Sequence, residues 1–174
     1  MANPLGGIST IVLSLLGSLA PNLPIPSIDL GSLSPEVAQH ATHNVSQEAP
    51  SHQITQAELI NALNDYRRQH NLRPLQADAH LNNVAQDWSQ RMAHEGKLHH
   101  RPNFMASYAP GARTGAENCL MSYAGASAQD LIKAWHNSPG HRANMQNPEM
   151  THVGVGVAYA ANGTVWATQN FAAY

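Results

Sequence analysis

The chain has 174 residues, enough for one domain with its own apolar core but hardly for two of average size. Nine Lys plus Arg stand against eleven Asp plus Glu, so there is no basic field to hold phosphates, and nucleic acid is not an expected partner. Histidine departs in the other direction: eleven of them outnumber the basic residues, and a pocket that gathered several would titrate near neutrality or bind metal. Cys119 is the only cysteine, which precludes an intrachain disulfide and leaves stability to the core.

In chain order, Ile8 to Leu19 is an apolar run of signal-peptide length, too short to span a bilayer. Ser18-Leu19-Ala20 ahead of Pro21 resembles a small-residue cleavage site, although every Lys and Arg lies between Arg67 and Arg142, so no basic residue precedes the run. Six of the eleven prolines fall within residues 1–50, and no sustained periodicity follows Leu19. Residues 1–53 therefore read as a leader-like apolar segment and a Pro-rich flexible linker. Residues 54–174 read as the folded domain.

Order begins at Ile54, where Thr55-Gln56-Ala57-Glu58 has the form of a capping box and Ile54 with Leu59 that of a hydrophobic staple. Leu59, Ala62, Leu63 and Tyr66 share one face of the helix that follows, which ends near Asn71 and Pro74. Asp78 caps a second helix with Leu81, Val84, Ala85, Trp88 and Met92 on one stripe, closed by Gly96. Residues 99–126 read as irregular. Ser127 caps a third helix that contains Leu131 and Trp135 and stops at Pro139-Gly140. From Thr151 the chain alternates Val153, Val155, Val157 and Tyr159, turns at Asn162-Gly163 and resumes with Val165-Trp166, a hairpin pattern. The expected fold class is α/β, with helices packed on an antiparallel sheet.

Three strings carry acid–base or metal-competent side chains: Gly96-Lys97-Leu98-His99-His100, Gly115-Ala116-Glu117-Asn118, and Trp135-His136-Asn137-Ser138-Pro139-Gly140-His141-Arg142-Ala143-Asn144. Their residues read as lying outside regular helix or strand. In this order, ahead of Val153-Gly154-Val155-Gly156-Val157, they resemble the CAP family of cysteine-rich secretory proteins, antigen 5 and pathogenesis-related proteins, also described as SCP-like extracellular domains. The resemblance covers about Thr55 to Tyr174. It implies an α-β-α sandwich with a central, mostly antiparallel sheet, an exported protein, and a cleft with two histidines and two acidic residues. Matched string to string, the histidines are His100 and His141 and one acid is Glu117. Ser138 stands where many members have the second glutamate, and Ser-Pro-Gly-His-Arg-x-Asn resembles the bacterial branch, which lacks disulfides.

The residues themselves suggest similar chemistry. Two imidazoles and a carboxylate are the ligand set of a zinc site with one open position, and the same trio could orient water for hydrolysis. No His-Glu-x-x-His occurs, so this is not the zincin pattern. Asn118 and Asn144, with Ser138, are candidates to line the cleft or to orient its ligands by hydrogen bonding. Cys119 reads as a small buried hydrophobe rather than a nucleophile.

The expected function is binding, at the cell envelope or outside the cell, through a His/Glu cleft that takes a divalent metal such as zinc and a small-molecule, lipid or peptide ligand. Sterol or fatty acid is one ligand class the resemblance implies. A metal-dependent hydrolase or protease with Glu117 as general base, and a purely structural module, are the alternatives. The domain is expected to be a monomer, with membrane or cell-wall association open to it.

Overall fold

A computed structural model describes residues 13–15 and 52–174. Its elements are β1 (Leu13–Leu15), α1 (Gln56–Gln69), β2 (Gln76–Ala77), α2 (Ala79–Glu95), a 3₁₀ turn (Phe104–Ser107), β3 (Thr114–Ser122), α3 (Ala128–His136), α4 (Pro139–Gln146), β4 (His152–Tyr159) and β5 (Val165–Ala173). One sheet has the order β1-β3-β5-β4-β2. β3, β5 and β4 are antiparallel, while the short outer strands run parallel to their neighbours. The leader-like run and the Pro-rich linker lie outside the described residues, apart from Leu13–Leu15, whose backbone pairs with Cys119–Met121.

The caps form as their residue types dictate. Thr55 and Glu58 make the reciprocal capping box of α1, and Ser127 and Asp130 that of α3. Asp78 caps α2 through the Leu81 amide, and Gly96 closes it in the left-handed region at φ 62°. Two expectations need correction. Pro139-Gly140 does not merely stop a helix: Pro139 occupies the first turn of α4, where its missing N–H costs nothing. The stretch 99–126 is not irregular throughout, because Thr114–Ser122 is a central strand. Most of its residues are buried on both sides, so the period-2 alternation that marks a half-exposed strand is absent.

Alternation along the strands divides the interior. Ala116 and Leu120 of β3, Val153, Val155 and Val157 of β4, and Ala167 and Phe171 of β5 form the main core with α1, α3 and α4. Cys119 and Trp166 point the other way and pack with Trp88, Met92 and Leu98 from α2 and its exit. The architecture is an α-β-α sandwich.

Why α2 lies so close to the sheet is explained by Gly154 and Gly156. A Cβ on Gly154 would fall 2.1 Å from the backbone of Leu81, and one on Gly156 2.3 Å from that of Ala85. The same approach lets α2 cap the edge of β4 beyond its short pairing with β2. Asn82 Oδ1 accepts from the Val155 amide at 2.8 Å, and Gln86, one turn on, accepts from the Val157 amide at 3.1 Å and donates to its carbonyl at 2.8 Å. From α1, Gln56 donates to the Val155 carbonyl at 2.9 Å. Groups that would template another strand are thereby satisfied by side chains.

Gly154→Ala and Gly156→Ala should each destabilise the domain by about 1–3 kcal/mol or more, since helix backbone cannot yield as a side-chain end can. Urea unfolding measures this. A midpoint unchanged from the parent in both variants would refute the close approach.

Candidate functional site

Three local features bring His100 to β3. Gly96 reverses the chain, with its N–H donating to the Met92 carbonyl, and Leu98 turns inward. Trp88 Nε1 then donates to the His99 carbonyl at 2.9 Å, which pins the loop to α2. On β3, Gly115 lets Met105 and Tyr108 lie directly over the backbone, where a Cβ would come within 2.5 Å of Met105 Sδ. The buried Tyr108 hydroxyl donates to the Ala116 carbonyl at 2.9 Å. Burial, reinforced by the charge of Glu117, raises its pKa, so it remains a protonated donor.

Glu117 is 2% exposed. Its Oε1 lies 2.9 Å from His100 Nδ1, accepts the Arg101 backbone N–H at 2.9 Å, and is approached by Cys119 Sγ at 3.6 Å. Its Oε2 is buried with no hydrogen-bond partner among the described residues. Arg101 does not neutralise this carboxylate with its side chain. Its guanidinium turns to Asp87 and to the Val84 carbonyl, and stacks over Trp88 at 4.9 Å. Cys119 is fully buried, and desolvation first, then the neighbouring carboxylate, pushes its thiol pKa well up. It is therefore a thiol in this setting, which removes the nucleophile alternative. His100, Glu117 and Cys119 form the cluster of potential metal donors among the described residues, with ligand atoms all within 4.8 Å of one another.

His141 stands outside that cluster. It is fully buried on α4, and its carbonyl accepts from Asn118 Nδ2 at 3.1 Å. Asn118 also donates to Gln169 Oε1 at 3.0 Å and accepts from Asn144 Nδ2 at 2.8 Å. Strand alternation places Asn118 on the opposite face from Glu117, so these amides fasten α4 to β3 and β5 rather than orient the carboxylate. Ser138 is the N-cap residue of α4; its buried hydroxyl makes no capping bond and has no hydrogen-bond partner. Of the three expected site residues only His100 lies in a loop. Glu117 is in a strand and His141 in a helix, contrary to the reading that placed them outside regular structure.

With this architecture established, comparison with known proteins is decisive. The model of the cysteine-rich secretory protein family, CAP, matches residues 60–171. The chain belongs to the CAP family. It is 31% identical over 134 residues to the uncharacterized protein YkwD of Bacillus subtilis (strain 168), covering 72% of this chain and 51% of YkwD, so it spans about half the length of that relative. Among solved structures it resembles an SCP-domain extracellular protein from Bacillus anthracis str. Ames, with TM-score 0.57 and 25% identity over 68% of this chain and 40% of that one. An outer surface protein from Borrelia burgdorferi shares the fold, with TM-score 0.58 and 18% identity over 66% of this chain and 89% of that one.

Elsewhere in the CAP domain, two features escaped the sequence reading. His136 does not join the Glu117 site. Its Nδ1 lies 2.9 Å from Tyr66 Oη in a separate groove between α1 and α3, of roughly 570 Å³, also lined by His70, Ile132 and Lys133. His99 is only partly exposed: it bonds Glu95 at 2.8 Å and meets Trp88 edge-on at 4.7 Å. Arg67 is the second feature. Although it is 1% exposed, its guanidinium has no carboxylate partner among the described residues and instead donates to the carbonyls of Arg73 at 2.9 Å, Met145 at 2.6 Å and Asn147 at 3.1 Å. Two of these carbonyls belong to the C-terminal end of α4, where the helix dipole favours a cation.

Arg67→Met should therefore cost about 2–4 kcal/mol, since buried carbonyls lose their donors, and Arg67→Lys should recover only part because an ammonium lacks the guanidinium fork. Thermal unfolding of both variants checks this; a Lys variant as stable as the parent would contradict it.

Proposed function

We propose that this CAP domain is exported and works by binding, using the pocket around His100 and Glu117 to hold a divalent cation and, beside it, a small-molecule, lipid or peptide ligand. The observation that carries the reading is the state of Glu117. A buried carboxylate whose Oε1 is held by two nitrogens, and whose Oε2 has no partner, is an acceptor suited to a cation. His100 supplies a nitrogen donor at its side. A bound ion would polarise an oxygen ligand there. The residues of the chain hold the ion, exclude water through Trp88 and Trp166, and fix the carboxylate through the Arg101 amide. Export is supported by the character of two similar structures, an extracellular protein and an outer surface protein. No helix among the described residues is long and apolar enough to cross a membrane.

A second reading rests on the same bonds. His100 and the Arg101 amide both converge on Glu117 Oε1, so the carboxylate could serve only to fasten the loop to β3.

Calorimetric titration with zinc separates the two. Binding near one ion per chain, weakened by at least about tenfold in His100→Ala and Glu117→Gln, is expected of a cation site that loses a protein ligand. The fastening reading predicts instead that the parent ignores zinc, while His100→Ala melts earlier even in chelator.

A further inference from the structure

We propose that Cys119 is a metal donor of this pocket, and that the ion held by His100, Glu117 and Cys119 is zinc or a similarly thiophilic divalent cation. This rests on the cation-binding reading above and goes beyond it by adding a ligand and selecting a metal class. The argument begins with β3. Glu117 and Cys119 are two residues apart on one strand, so their side chains leave the same face at a spacing set by the backbone. Pairing with Asn170 and Thr168 of β5 holds that spacing rigid. His100 arrives from the loop pinned by Trp88.

Both donors stand near Glu117 Oε1 at separations close to those of ligands sharing one ion, and all three ligand atoms lie within 4.8 Å of one another, so His100 and Cys119 close toward each other when they share it. With Zn–N and Zn–O bonds of about 2.0–2.1 Å and a Zn–S bond of about 2.3 Å, tetrahedral donors sit about 3.3 Å apart for N and O and about 3.6 Å for S and O. Cys119 Sγ is 3.6 Å from Glu117 Oε1, already at that distance. His100 Nδ1 is 2.9 Å from the same oxygen, so this pair must open by only a few tenths of an ångström. The unpartnered, buried Glu117 Oε2 is an independent sign that the carboxylate has capacity left.

Charge and donor chemistry select the metal. Without an ion, the Cys119 S–H is directed at Glu117 Oε1. On binding, the S–H bond breaks, the proton leaves to solvent, and a metal–sulfur bond forms; no electron is transferred. One carboxylate and one thiolate then balance a doubly charged cation, leaving no net charge beside the buried side chains of Trp88, Met92 and Trp166. Magnesium and calcium call for six or more oxygen ligands and gain nothing from sulfur, whereas nitrogen with thiolate suits zinc.

The test uses the full chain with cobalt and zinc as probes. The cobalt form of the parent should show a sulfur-to-cobalt charge-transfer band in the near ultraviolet. Cys119→Ser should abolish that band and weaken zinc by at least about tenfold, and excess magnesium should not displace zinc from the parent. Melting in chelator shows whether the Ser variant folds; if it does not, the band in the parent decides alone. A parent that binds zinc with dependence on His100 and Glu117, but shows no sulfur band and no loss in Cys119→Ser, overturns the cysteine ligand and leaves the cation reading intact. A parent that binds neither zinc nor cobalt overturns both.

Discussion

The contact between α2 and β4 at Gly154 and Gly156 governs the rest of the molecule. Because nothing projects from these two positions, helix backbone meets strand backbone, and Asn82 and Gln86 come within reach of the amides they cap. The axis of α2 is thereby set relative to the sheet. Trp88, two residues past Gln86, then stands where its indole N–H meets the His99 carbonyl, and that bond delivers His100 to Glu117. A shift of α2 by the width of a methyl group would be passed directly to the pocket, since packed interiors transmit displacement rather than absorb it.

Glu117 concentrates the electrostatic consequences of this arrangement. A carboxylate buried between a helix and a sheet would ordinarily be matched by a cationic side chain, yet the guanidinium of Arg101, whose backbone amide meets Glu117, is committed to Asp87, the Val84 carbonyl and the Trp88 ring. What meets Glu117 instead is a backbone amide, an imidazole and a thiol. These groups stabilise the carboxylate without neutralising it as fully as an arginine would, which leaves the pocket attractive to a cation.

The opposite face of the sheet shows a different solution to polar burial. Asn118, Asn144 and Gln169 satisfy one another and the His141 carbonyl, while Arg67 answers the carbonyls at the end of α4. These bonds hold α4, and hence His141, against β3. One strand therefore supports two polar assemblies, Glu117 with Cys119 on one face and Asn118 on the other, separated by the thickness of the backbone.

The sequence by itself determined the family, the caps at Thr55, Asp78, Gly96 and Ser127, and the hairpin of β4 and β5. Each of these depends on neighbours within a few residues or on a strongly alternating run, so local chemistry suffices. It also singled out His100 and Glu117, which the fold brings together. Tertiary structure decided what depends on contacts between distant segments. It made Thr114–Ser122 a strand, because burial on both faces hides the alternation that would announce one. It placed Cys119 beside Glu117 through side-chain direction on that strand, and His136 in a different groove through the packing of α1 on α3. Arg67 shows the same limit most plainly: an arginine in a helix pattern reads as solvent-facing, and only the arrival of the Met145 and Asn147 carbonyls from remote chain, beside that of nearby Arg73, makes its burial favourable.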